Sequence, residues 1–154
     1  MQLLTGVELR LTKDAIVLLS GEISFLIERG QDNVGITSED RVLGRNTVHM
    51  HGCNGVIVSG VTFYCMLSLD SCNNVRVDGC RIESYSRHPA VGLVDCADVM
   101  ISGCSLRSGH GALCLCAYRL CENIIISGNY FGVADARAIV PGPSTAGPVR
   151  RVFA

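Results

Sequence analysis

The stretch CNGVIVSGVTF, residues 53–63, returns three times along the chain without gaps: CNNVRVDGCRI from Cys72, CADVMISGCSL from Cys96 and CENIIISGNYF from Cys121. The four starts lie 19, 24 and 25 residues apart. Self-similarity at such a period marks a solenoid, in which each repeat buries its apolar face only against its neighbours. The columns of this alignment have physical readings. Gly55, Asn74, Asp98 and Asn123 are residue types that tolerate a left-handed backbone, so they predict a recurrent turn. Val56, Val75, Val99 and Ile124, then Val58, Val77, Ile101 and Ile126, stand two residues apart and share one face of a strand. Gly60, Gly79, Gly103 and Gly128 predict a second bend, after which Phe63, Ile82, Leu106 and Phe131 begin another inward-facing strand.

A further strand precedes the cysteine column. It is read from Val48 and Met50, Leu67 and Leu69, Val91 and Leu93, and Leu113 and Leu115. Each coil thus holds three short strands in roughly 22 residues, as solenoid repeats do. An apolar period of two and frequent turn residues exclude helices. The fold class expected is all-β: a right-handed parallel β-helix, a single-stranded solenoid of about five coils once NVGITS at Asn33 is counted. Coils stacked about 4.8 Å apart turn columns into ladders. Cys53, Cys72 and Cys96, and likewise Cys80 and Cys104, become stacked interior thiols.

Three regions follow. Residues 1–45, with VELRL and AIVLLSGEISFLI, read as an N-terminal cap and first coils. Residues 46–133 form the β-helix body. Residues 134–154 hold three of the four prolines and read as an extended C-terminal arm, with Ile139, Val140, Val152 and Phe153 as apolar anchors for a partner.

The composition, 48% hydrophobic and 18% charged over 154 residues, is that of a globular chain. A net charge of −1 gives no electrostatic case for nucleic acid or an anionic membrane. Of the 13 basic residues only Lys13 is a lysine. Nine cysteines would suggest disulfides in a secreted chain. The start MQLLTGVELR, however, lacks the basic and apolar regions of a signal peptide, and no run approaches the ~18 apolar residues of a membrane span. Reduced, buried thiols in a chain made in the cytoplasm are therefore expected, and no cofactor is implied.

The repeat over about residues 30–133 resembles the pectin-lyase-like superfamily of polygalacturonases, pectate lyases and phage tailspikes. Ser108-Gly109-His110-Gly111 is similar to the Gly-His-Gly motif of polygalacturonases. That resemblance implies paired aspartates one coil earlier, where inverting glycosidases place an acid and a base. The matching region, SYSRHPAVGL, offers Arg87, His88 and Pro89, and the family's Asn-Thr-Asp is reduced to Asn46-Thr47-Val48. The calcium site of pectate lyases is no better matched, with Asp70 and Asp95 isolated. The expectation is a chain that is not an enzyme, with no catalytic, cofactor or metal residues. His49 and His51 share the outer face of one strand, and His51 lies one coil from Asp70, which reads as a surface ion pair rather than a site. His110, Cys114, Cys116 and Cys121 match no closed zinc spacing.

The outward columns bear on partners. After the first turn they run Ile57, Arg76, Met100, Ile125. Before the cysteine column they grow apolar toward Val94, Cys114 and Cys116, while the third strand's outward residues are polar and expected to meet water. Two adjacent apolar faces suit packing about a symmetry axis. Ile57, Met100, Ile125, Val94, Cys114 and Cys116 are thus the expected interface of a homotrimer. By analogy of fold, the expected role is a virus-particle structural protein, a phage capsid decoration or cement protein bound to partners such as a major capsid protein. The alternative is a polysaccharide-binding or polysaccharide-degrading tailspike module.

Overall fold

Bends in this chain occur where residues adopt a left-handed backbone. In the computed structural model the first column has φ of 73° at Gly55, 53° at Asn74, 52° at Asp98 and 52° at Asn123. Asn33, at 54°, extends it one coil toward the N-terminus. Gly60, Gly79, Gly103 and Gly128 form the second bend, with φ between 60° and 69°. A third corner, not read from the sequence, lies just before the cysteine column at Gly52, Ser71 and Asp95, with φ of 62°, 53° and 51°.

The structure describes residues 8–11, 23–27, 32–38, 47–84, 88–109, 115–118, 121–133, 139–141 and 150–153. Every element among them is a strand. The chain opens with β1 (Glu8–Leu11), β2 (Ile23–Ile27) and β3 (Asp32–Ser38). Four coils of three strands follow. They are β4 (Thr47–His51), β5 (Asn54–Ser59) and β6 (Thr62–Phe63); β7 (Leu67–Asp70), β8 (Asn73–Asp78) and β9 (Arg81–Ser84); β10 (Val91–Val94), β11 (Ala97–Ser102) and β12 (Ser105–Ser108); and β13 (Leu115–Tyr118), β14 (Glu122–Ser127) and β15 (Tyr130–Val133). β16 (Ile139–Pro141) and β17 (Arg150–Phe153) close the chain.

Among the described residues all pairings are parallel and build three sheets. The first runs β2-β4-β7-β10-β13-β16, the second β1-β3-β5-β8-β11-β14-β17 and the third β6-β9-β12-β15. The chain is therefore a parallel β-helix, as its repeat predicts. It has more layers than the five expected, since the second sheet holds seven strands. The stretch expected to leave the body as an arm instead adds two strands to the stack: β16 pairs with β13, and β17 with β14. At the other end the ladders run unbroken across residue 45, because β2 pairs with β4 and β3 with β5.

The core is the inward half of each strand. Val48, Met50, Leu67, Leu69, Val91, Leu93 and Ile101 have no measurable exposure. The seven cysteines whose side chains the structure describes are buried and unbridged. The thiols earn their column through hydrogen bonds as well as volume: Cys72 Sγ donates to Met50 O at 3.5 Å and Cys96 Sγ to Leu69 O at 3.4 Å, each one coil back. Cys104 Sγ accepts from the Cys80 amide at 3.4 Å. Within the stacked pairs, the hydrogen bond with Cys72 and then burial hold Cys96 well above the usual thiol range; Cys104 and then burial do the same to Cys80.

Cys65 gives a pH test. Burial, opposed weakly by the Val48 amide, pushes its thiol from 9.0 up to about 12. With a raised native pKa, the unfolded chain loses this proton first. The stability from Cys65 is fully present below 9.0 and falls as pH rises from there toward about 12. The unfolding free energy of the parent, read from urea denaturation, should fall more steeply above pH 9 than that of Cys65→Ala, by at most about 1.4 kcal/mol per pH unit. Parallel curves would contradict the assignment.

Two glycines in similar backbone conformations separate strain from crowding. A Cβ at Gly55 would sit 2.6 Å from Asn33 Oδ1, whereas one at Gly79 would meet nothing within 4 Å. Both substitutions incur the left-handed penalty of about 1 kcal/mol. Gly55→Ala should exceed that and Gly79→Ala should not, as read from paired chemical denaturation curves.

Candidate functional site

The outer face of the third sheet departs most from its expected character. Along β9, Ile82 points inward and is fully buried, so Arg81 and Glu83 point outward. Yet Glu83 is only 3% exposed, and Thr62, also on this outer face, 4%. The expectation that these residues meet water is corrected at both positions. Among the described residues Glu83 is the one buried charged side chain. Such a group needs ionic or hydrogen-bonding partners, and Arg81 provides both: its Nε donates to Glu83 Oε1 at 2.6 Å and its Nη2 lies 2.5 Å from the same oxygen.

The neighbouring coil adds a second cation. Arg107 stands in register with Glu83, and its Nη1 lies 3.8 Å from Oε1. One coil further, Gly132 leaves room for the Arg107 stem, since a Cβ there would lie 2.9 Å from Arg107 Cγ. The parallel column runs Thr62, Arg81, Ser105, Tyr130. Tyr130 ends it with 64% exposure. Beside this face Ser84 and Ser108 are buried, Ser84 Oγ donates to His88 O at 3.0 Å, and the Gly109 amide donates to Ser84 O at 2.8 Å. A carboxylate flanked by guanidinium groups can accept hydrogen bonds from hydroxyls or orient a water, and is poorly suited to donating a proton.

A second cluster lies on the outer face of the first sheet. Val48 and Met50 point inward, so His49 and His51 point outward. Asp70 stands in register with His51, and His51 Nδ1 is 3.3 Å from Asp70 Oδ2. The contact expected from the sequence is present, and it is an ion pair when His51 is protonated. The His49 ring stands edge-on to His51, with centroids 6.4 Å apart.

Other residues singled out in the sequence fall as follows. Ile57, Met100 and Ile125 are exposed on the second sheet, with Arg76 between the first two in the ladder. Val94 is half-buried. Arg87, His110 and Cys114 lie outside the described residues, as does the side chain of Cys116, whose backbone in β13 pairs with Gly92. Ile139 and Val140 belong to β16, and Val152 and Phe153 to β17. His88 is exposed. Glu83 was missed although it immediately precedes SYSRHPAVGL. The available signal was the Arg-x-Glu pattern of β9 with Arg107 in register on the next coil.

No protein-family model matches the sequence, and no curated protein matches it. Among solved structures, the fold is similar to that of a protein from Parabacteroides merdae described as a putative glycosyl hydrolase. The TM-score is 0.73 at 17% identity, covering 89% of this chain and 79% of that one. At that identity the likeness is one of fold. It nevertheless corrects the expectation that the chain is not an enzyme. That expectation rested on the absence of pectinase carboxylates, whereas a parallel β-helix framework of this kind carries a glycosyl-hydrolase description elsewhere. Lacking one family's catalytic pair does not exclude catalysis on a shared scaffold.

Proposed function

We propose that this chain is a polysaccharide-acting β-helix module, with the glycan lying across the coils of the third sheet. The observation that carries the reading is the buried, doubly ion-paired Glu83 beside exposed Tyr130 and Arg107 on one lateral face. Aromatic rings offer stacking surfaces to sugar rings, and guanidinium forks offer directional donors to hydroxyls and carboxylates. Successive coils repeat at about 4.8 Å, close to the length of one pyranose unit, so the two outward columns can address successive sugars. Glu83 is the residue assigned to orient a water or a sugar hydroxyl by accepting its hydrogen bond. Release of new reducing ends, assayed across neutral and acidic polysaccharides, tests this. The parent should release them from at least one polymer, and Glu83→Gln should lower the rate at least about 100-fold. Undiminished release by Glu83→Gln would overturn the role of Glu83.

A second reading is favoured by Ile57, Met100 and Ile125, which are 49%, 39% and 38% exposed on one sheet. Such a column suits side-by-side packing of copies, as in a homotrimeric virion component such as a capsid decoration protein. In that case light scattering should give a trimer at micromolar concentration and a monomer for the triple variant Ile57→Lys/Met100→Lys/Ile125→Lys. A parent that is a stable monomer would contradict it.

A further inference from the structure

His49, His51 and Asp70 bring two imidazoles and a carboxylate together on an outer face that the proposed glycan site does not use. One potential ligand atom from each lies within 4.8 Å of the other two. Three ligands held around one ion at about 2.0–2.2 Å stand roughly 3.3–3.6 Å from one another in a tetrahedral arrangement. His51 Nδ1 and Asp70 Oδ2, at 3.3 Å, already meet that spacing. The His49 backbone is fixed by the β4–β7 ladder, so the remaining distance is left to side-chain rotation.

The carboxylate is also oriented. Ser71 Oγ donates to Asp70 Oδ1 at 2.9 Å, leaving Oδ2 directed at His51. Outer hydrogen bonds of this kind position a metal-binding carboxylate. Ser71 itself is anchored, since its amide donates to Val94 O at 2.7 Å, and the Asp70 carbonyl accepts from the Gly52 amide at 2.7 Å. All three candidate ligands are partly exposed, so an ion can enter and retain water.

We propose that His49, His51 and Asp70 form a binding site for one divalent transition-metal ion of the zinc, cobalt or nickel class. Two imidazoles select such ions over calcium and magnesium, which prefer all-oxygen cages. With three protein ligands, the remaining positions are open to water or a ligand oxygen.

The test titrates the full chain, kept reduced, with Zn2+ by calorimetry and with Co2+ by visible absorption. The expected result is one equivalent bound, with cobalt d–d bands and no sulfur charge-transfer band. His49→Ala, His51→Ala and Asp70→Asn should each weaken binding at least about tenfold, Ser71→Ala should weaken it less, and His88→Ala should leave it unchanged. Circular dichroism checks that each variant keeps its strand content. On the parent itself, Zn2+ should shift the ring resonances of His49 and His51 together. Failure to bind either ion, a thiolate charge-transfer band, or binding insensitive to His49 and His51 would overturn the site.

Discussion

Leu93→Ala is expected to destabilise the chain by about 3–5 kcal/mol, the upper part of the range for fully buried leucines. Leu93 has no exposure and lies in β10, inside the first sheet, in register with Leu69 on one side and Ala117 on the other. Truncation removes its transfer energy and leaves a cavity that the ladders cannot close. Each neighbouring strand is held by parallel hydrogen bonds to further coils, so collapse at one coil would distort the next. For a chain of this length each kcal/mol moves the melting temperature by about 2–4 °C. A fall of less than about 5 °C in a calorimetric scan would mean that the coil relaxes around the gap, against this account.

Arg81→Met is expected to cost about 3 kcal/mol, more than Glu83→Gln. The order follows from where each charge is left. Losing Arg81 leaves a buried carboxylate short of its closest cation, and removing one partner of a buried pair is the expensive change. Losing the Glu83 charge leaves two guanidinium groups that can turn toward water, since Arg81 and Arg107 side chains are 40% and 55% exposed. The double variant Arg81→Met/Glu83→Met should therefore be more stable than Arg81→Met alone. Urea denaturation of the parent, Arg81→Met, Glu83→Met and the double variant gives the cycle. A double variant no better than Arg81→Met would show that Glu83 draws its stability from groups other than Arg81.

The solenoid was legible because each of its columns is a local choice. Only a few residue types accept the left-handed backbone of Asn74 or Gly79, and a β-branched pair two residues apart marks an inward face wherever it falls. The corner at Ser71 and Asp95 escaped because serine and aspartate are common outside turns of this kind. The last strands escaped because of proline. Pro141 reads as a strand breaker, but β16 is the edge of the first sheet, where a residue without an amide donor is tolerated on the unpaired side. The burial of Glu83 was hidden for another reason. Period two fixes which way a side chain points, and says nothing of what covers the outer face. The convergence of His49 with Asp70 likewise depends on register between coils of unequal length, which the repeat spacing alone leaves open.

Native electrophoresis through polysaccharide-containing gels shows whether the third sheet holds a glycan. At least one polymer should retard the parent chain. Tyr130→Ala and Arg107→Ala should each reduce the retardation several-fold, while Ile57→Ala, on the second sheet, should not. Migration unaffected by every neutral and acidic polysaccharide, or retardation that survives both substitutions, would contradict it.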